Sequence, residues 1–102
     1  MVFEKRVSRR VPIVTRVEAH AGTGPHIILA QNISIGGMLV RTADPLPEGD
    51  TIQLHFSLPG VEREIRLTAV VQHVTPGEFM GIRFTQVSAE DAAAIRQFVE
   101  TV

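Results

Sequence analysis

Residues 51–58 alternate without a break: Ile52, Leu54, Phe56 and Leu58 are apolar, and Thr51, Gln53, His55 and Ser57 between them are polar. Residues 64–74 repeat the pattern, with Ile65, Leu67, Ala69 and Val71 set against Glu64, Arg66, Thr68 and Gln72. Successive side chains of an extended strand point to opposite faces, so a period of two means a half-buried antiparallel strand and excludes a helix. Residues 11–19, 27–33, 38–42 and 79–85 read as four further strands. Turn-forming stretches separate them, among them Gly22-Thr23-Gly24-Pro25, Gly36-Gly37, Pro45-Leu46-Pro47-Glu48-Gly49-Asp50, Pro59-Gly60 and Pro76-Gly77. Six short strands with tight connections predict a closed or nearly closed six-stranded antiparallel barrel, because closure removes exposed strand edges.

The period changes after residue 87. Ser88 is a good N-cap, with Asp91 three residues on as a weaker partner for a capping box. Ala92, Ile95, Phe98, Val99 and Val102 then recur at helical spacing. A C-terminal helix over 88–100 is predicted, its apolar stripe laid on the barrel. The class is therefore mainly β with one helix: a basic, flexible N-terminal arm at 1–11 and a barrel with its helix at 12–102.

A chain of 102 residues with 44% hydrophobic residues has enough apolar surface for one modest core. No apolar stretch is long enough to span a bilayer, and charged residues stand where a signal peptide needs an apolar run. Cysteine is absent, so there is no disulfide framework or thiolate chemistry. A cytoplasmic chain without membrane insertion is the expectation. The net charge of −1 conceals an asymmetry: Lys5, Arg6, Arg9, Arg10 and Arg16 face only Glu4 in the first 16 residues, a local +4. A short basic arm on an acidic body suits a compact anion better than duplex DNA.

Two features bear on binding. Arg6 and Arg10 form an R-x-x-x-R pair, with Arg9 between and Lys5 before. A guanidinium is planar and permanently charged; it pairs bidentately with phosphate or the guanine edge and stacks on purines. By itself the pair is equally a solvated tail. Asn32-Ile33-Ser34-Ile35-Gly36-Gly37 is an N-x-S-x-x-G arrangement running from a strand into a turn. Asn and Ser offer donors and acceptors to a base edge, and Gly permits close approach of a ligand. The same residues equally make an ordinary β-turn.

Taken together, an R-x-x-x-R arm, a strand, then [D/N]-x-S-x-x-G, more strands and a closing helix resemble the PilZ domain family. The resemblance runs from about Lys5 to Glu100 and includes Gly81-Ile82-Arg83-Phe84, similar to a G-[IV]-x-F strand of that family. It implies a six-stranded barrel that binds cyclic di-GMP as a non-catalytic bacterial second-messenger receptor. By position it implies Arg6, Arg10, Asn32, Ser34 and Gly37 as ligand-binding residues, with Lys5 and Arg9 as further contributors. Asn32 stands where the family often has Asp, and Val7-Ser8-Arg9 lacks an aromatic frequent there. Lys5 stands where the family varies, at a position held to influence whether one ligand or an intercalated pair binds. The oligomer implied is a monomer or a ligand-dependent dimer. No cofactor is implied; the output, on motility, pili, surface polysaccharide or virulence, would pass through a separate downstream protein.

Other chemistry is weaker. His20, His26, His55 and His73 lack metal-ligand spacing along the chain and read as surface or structural residues, so no metal is expected. Ser34 lacks a nucleophile elbow, and Asp44, Glu48 and Asp50 read as a solvated turn. With five Phe and neither Trp nor Tyr, there is no basic-aromatic platform for nucleic acid. Two alternatives remain beside the receptor: a PilZ-like interaction adaptor with little nucleotide affinity, and a general oligonucleotide-binding barrel.

Overall fold

A computed structural model describes residues 9–22 and 24–101. Six strands precede one helix: β1 (Val11–Ala21), β2 (Gly24–Ile33), β3 (Gly37–Arg41), β4 (Thr51–Phe56), β5 (Ile65–Thr75), β6 (Phe79–Gln86) and α1 (Ala89–Thr101). The strands close into a barrel in the order β1-β2-β3-β6-β5-β4, every pairing antiparallel. The alternation that predicted the strands also orients them. Ile52, Leu54 and Phe56 of β4 and Ile65, Leu67, Ala69 and Val71 of β5 are all buried. Val17 and Ala19, Val40, and Met80 and Ile82 complete the inner wall, and Phe56 stacks on Phe84 with ring centroids 6.5 Å apart.

β1 is paired on both sides, by β2 along its length and by β4 at Val17–His20. Pro12, which has no N–H to donate, is tolerated because β4 does not reach that part of β1. The β3–β4 connection packs on the barrel and bonds to β5, the Gly49 N–H donating to Val71 O at 2.8 Å. Leu46 is buried there with its N–H on Met80 Sδ at 3.4 Å, and Glu48 Oε2 accepts the Val74 N–H at 3.0 Å. Glu48 is exposed, as expected of a turn carboxylate, and it also satisfies a backbone donor near the end of β5.

Helix α1 is fastened at both ends. Ser88 Oγ accepts the Asp91 N–H at 3.1 Å, the N-cap bond expected from sequence. The Asp91 carboxylate takes a different set of partners. It lies on the buried face with Ile95, Phe98 and Val99, where Oδ1 accepts Arg63 Nε and Nη2, each at 2.9 Å. Its Oδ2 accepts the Arg66 N–H at 3.3 Å. The reason is positional: residues 91, 95, 98 and 99 share one helical face, so Asp91 points at the barrel. At the other end the carbonyl of Val99, in the last turn of the helix, accepts Arg9 Nη1 at 2.8 Å. Val102, part of the predicted stripe, lies outside the described residues.

Asp91→Ala would leave the Arg63 guanidinium and the Arg66 N–H without their acceptor. Arg63 is half exposed and rehydrates readily, so the expected loss is about 1–3 kcal/mol. Urea unfolding checks it, with an unchanged m value showing that the barrel itself persists.

Candidate functional site

The site is built where β1 begins and β2 ends. The register sets Val11 opposite Ile33 and Pro12 opposite Asn32, so the arginines just before β1 emerge beside the β2–β3 turn. A bulge does the rest. Between Ala30 and Asn32 β2 advances two residues while β3 advances one, leaving Gln31 as the extra residue. The buried positions of β2 accordingly shift from Ile28 and Ala30 to Ile33, and Asn32 turns outward. There Arg10 Nη1 donates to Asn32 Oδ1 at 2.9 Å, which joins the arginine arm to the N-x-S-x-x-G segment.

The turn that follows is braced by its own side chain. Ser34 N donates to Gly37 O at 2.8 Å, Ser34 Oγ contacts the same carbonyl at 3.3 Å, and the Gly36 N–H reaches Ser34 Oγ at 3.3 Å. Ser34 is one of only two buried polar residues among those described. Gly36 O accepts the Phe84 N–H at 2.8 Å and ties the turn to β6. Gly37 has a packing reason for being glycine: a Cβ there would collide with the Ile82 carbonyl of β6. Close approach is indeed what this glycine allows, but the neighbour it admits is backbone.

Above the turn lies a cleft of about 680 Å³, lined by Arg9, Arg10, Ser34, Ile35, Gly36, Gly37, Gln72, Ile82, Arg83, Arg96, Val99 and Glu100. Four arginines against Glu100 make it strongly cationic, and Ile35, Ile82 and Val99 give it an apolar floor. Such a mixture suits a ligand with both anionic groups and flat faces. Of the residues expected from sequence, Arg9, Arg10, Ser34 and Gly37 line the cleft, and Asn32 holds Arg10 at its rim. Lys5 and Arg6 lie outside the described residues.

Comparison with known proteins decides the family. The PilZ domain model matches residues 4–101, nearly the whole chain. This chain belongs to the PilZ domain family. The structure of MotI/DgrA, the inhibitor of motility of Bacillus subtilis, superimposes with a TM-score of 0.83 at 26% identity. That match covers 96% of this chain and 51% of the other, so the chain spans about half the length of that protein. The PilZ domain of CeSA from a cellulose-synthesizing bacterium gives a TM-score of 0.69 at 22% identity over 91% of this chain and 96% of that one. The PilZ domain of YcgR from Escherichia coli, solved with c-di-GMP, gives 0.73 at 16% identity over 96% and 91%. No curated protein matches.

Within this PilZ domain, sequence reasoning missed Gln72, Arg83 and Arg96. A signal existed for two of them. Arg83 occupies the outward position of the Gly81-Ile82-Arg83-Phe84 run, and Arg96 follows Ile95 on the exposed side of the helix. Gln72 carried none: it is the extra residue of a bulge between Val71 and His73, visible only in the β5–β6 pairing. The histidines also needed tertiary structure. His73 packs its ring over Gly81, whereas His20 and His55 meet beside Glu18 on the outer face of the β1–β4 ladder. The His20 imidazole, aided by His55, holds the Glu18 carboxyl below the usual carboxylate range, against the opposing effect of desolvation.

Gly37→Ala is expected to destabilise the domain by at least about 1–3 kcal/mol, because the obstructing atom is backbone and yields only if β3 and β6 move apart. Thermal unfolding of this variant beside Gly36→Ala, whose Cβ would meet open space, checks the assignment; equal stabilities would refute it.

Proposed function

We propose that this PilZ domain binds cyclic di-GMP in the cationic cleft and acts as a non-catalytic second-messenger receptor. The observation carrying the reading is the 2.9 Å bond from Arg10 to Asn32 at the rim of a four-arginine cleft, which draws the two sequence motifs to one place. Cyclic di-GMP offers two phosphates and two guanines. Arg10 and Arg9, joined by Arg6 and Lys5 of the arm, neutralise phosphates or stack on guanine. Asn32 and the braced Ser34–Gly37 turn present polar groups to a base edge, and Arg83 and Arg96 extend the cationic wall. Each charge-assisted bond contributes roughly 1.5–3 kcal/mol against water.

Residues 1–11 form the arm in this proposal, and residues 12–102 the barrel with its helix. Ligand draws the arm over the cleft, and the face so created is what a downstream protein reads. Motility is one candidate output, since the Bacillus subtilis relative named above is an inhibitor of motility. Pili and surface polysaccharide are the others. The protein works as a monomer or a ligand-dependent dimer, in the cytoplasm, with no cofactor; no helix among the described residues is long and apolar enough to cross a membrane.

Calorimetric titration tests the reading. Arg6→Ala and Arg10→Ala are each expected to weaken cyclic di-GMP binding by about tenfold or more with thermal stability near wild type. No heat from the wild-type protein at high nucleotide concentration would sink the proposal. Amide exchange of residues 3–11 is expected to slow on saturation; unchanged protection would remove the arm from the mechanism.

A further inference from the structure

The far half of β1 carries a cluster that the nucleotide proposal does not use. Glu18 and His20 are two apart on β1 and therefore share the outer face of the barrel, and the β1–β4 register sets His55 directly opposite Glu18. His20 Nε2 lies 3.3 Å from Glu18 Oε1, and His55 Nδ1 lies 3.6 Å from the same oxygen. One ligand atom from each of the three lies within 4.8 Å of the others. The two imidazoles stand beside each other with centroids 4.8 Å apart and planes tilted by 41°.

We propose that Glu18, His20 and His55 form a binding site for a divalent transition metal ion, with zinc as the natural probe. Zinc bound at about 2.0–2.1 Å in tetrahedral geometry requires its donors roughly 3.4 Å apart. The two separations from Glu18 bracket that value, and the third, between the histidine donors, is within 4.8 Å, so rotation of the imidazoles toward each other closes the site with no change in the strands. Two imidazole nitrogens and one carboxylate suit zinc, and neighbouring metals of similar preference, far better than magnesium or calcium, which favour all-oxygen sets.

A plain Glu–His ion pair would also place these residues together, and His20 separates the two cases. Its Nε2 is shielded from solvent, lacks a well-formed hydrogen bond, and meets only the Glu18 carboxylate, at 3.3 Å. A shielded nitrogen without a well-formed hydrogen bond is costly in a cluster built only for ion pairing, and it is the donor a metal needs. The nearby cation does not oppose this. Arg66, the register partner of His55, has its guanidinium on Glu64 Oε1 at 3.1 and 3.2 Å. The ion would pin β1 to β4 across the seam that closes the barrel, with a fourth position facing solvent.

None of the three residues lines the arginine cleft, and eight strand steps separate Glu18 from Arg10, roughly 26 Å along β1. Metal binding is thus testable independently of the nucleotide. Untagged full-length protein titrated calorimetrically with zinc chloride is expected to take up one ion per chain, with affinity lowered at least tenfold by His20→Ala or His55→Ala. Cyclic di-GMP titrations of the same variants should match wild type. In the wild-type protein, zinc should shift the ring-nitrogen resonances of His20 and His55, a readout that holds even if a variant fails to fold. Equal zinc affinity in wild type and the His20→Ala/His55→Ala double variant, or shifts confined to His26 and His73, would overturn the proposal.

Discussion

The register between β1 and β2 is the constraint on which the rest of this molecule depends. Val11 opposite Ile33 buries both side chains, and a slip of one residue would turn the inner row of β1 outward. That apolar penalty holds the ladder in place, and the polar site follows from it. Arg9 and Arg10 precede Val11, and Ser34 follows Ile33, so the pairing that seals the core also delivers the arginines to the turn. Arg9 and Arg10 need no separate device to reach the turn.

The helix completes the cleft by a second set of contacts. Its apolar stripe gives Ile95, Phe98 and Val99 to the core, but a stripe leaves rotation and tilt loosely defined. The Asp91–Arg63 pair holds the first turn and the Arg9 bond to the Val99 carbonyl holds the last. With both ends held, Arg96 and Val99 face the cleft. Arg9 has a double part here, as a wall of the cleft and as a cation at the negative end of a helix that has no basic residue of its own in its last turn. A ligand that competes for Arg9 would therefore act on the helix as well, a direct route from an occupied cleft to the outer surface.

Two of the barrel's register breaks show how it makes room for function. Gln31 as an extra residue in β2 turns Asn32 outward, and Gln72 as an extra residue in β5 lies at the edge of the cleft. Both interrupt the alternation that the core requires, and both do so beside the arginines. Along β4 the alternation is strict, and the outer face of the β1–β4 ladder carries the Glu18, His20 and His55 cluster.

By itself the sequence determined the elements. The unbroken alternation of Ile52 to Leu58 and Ile65 to Val71 made the strands and their inward faces legible, and Ser88 with the helical spacing of Ile95, Phe98 and Val99 marked the helix. These are properties of neighbouring residues along one chain segment, and local sterics and burial decide them. Arg10, Asn32, Ser34 and Gly37 were legible as candidate site residues because their chain positions match the family motif, and Arg9 because it stands between the motif arginines. Tertiary structure alone decided that Asp91 faces Arg63, that Gly37 clears the Ile82 carbonyl, that Gln72 reaches the cleft, and that His20 meets His55. Each of these depends on pairing between segments distant in the chain, and a bulge or a register displaces such a pairing by a whole residue while leaving the pattern of each strand nearly unchanged.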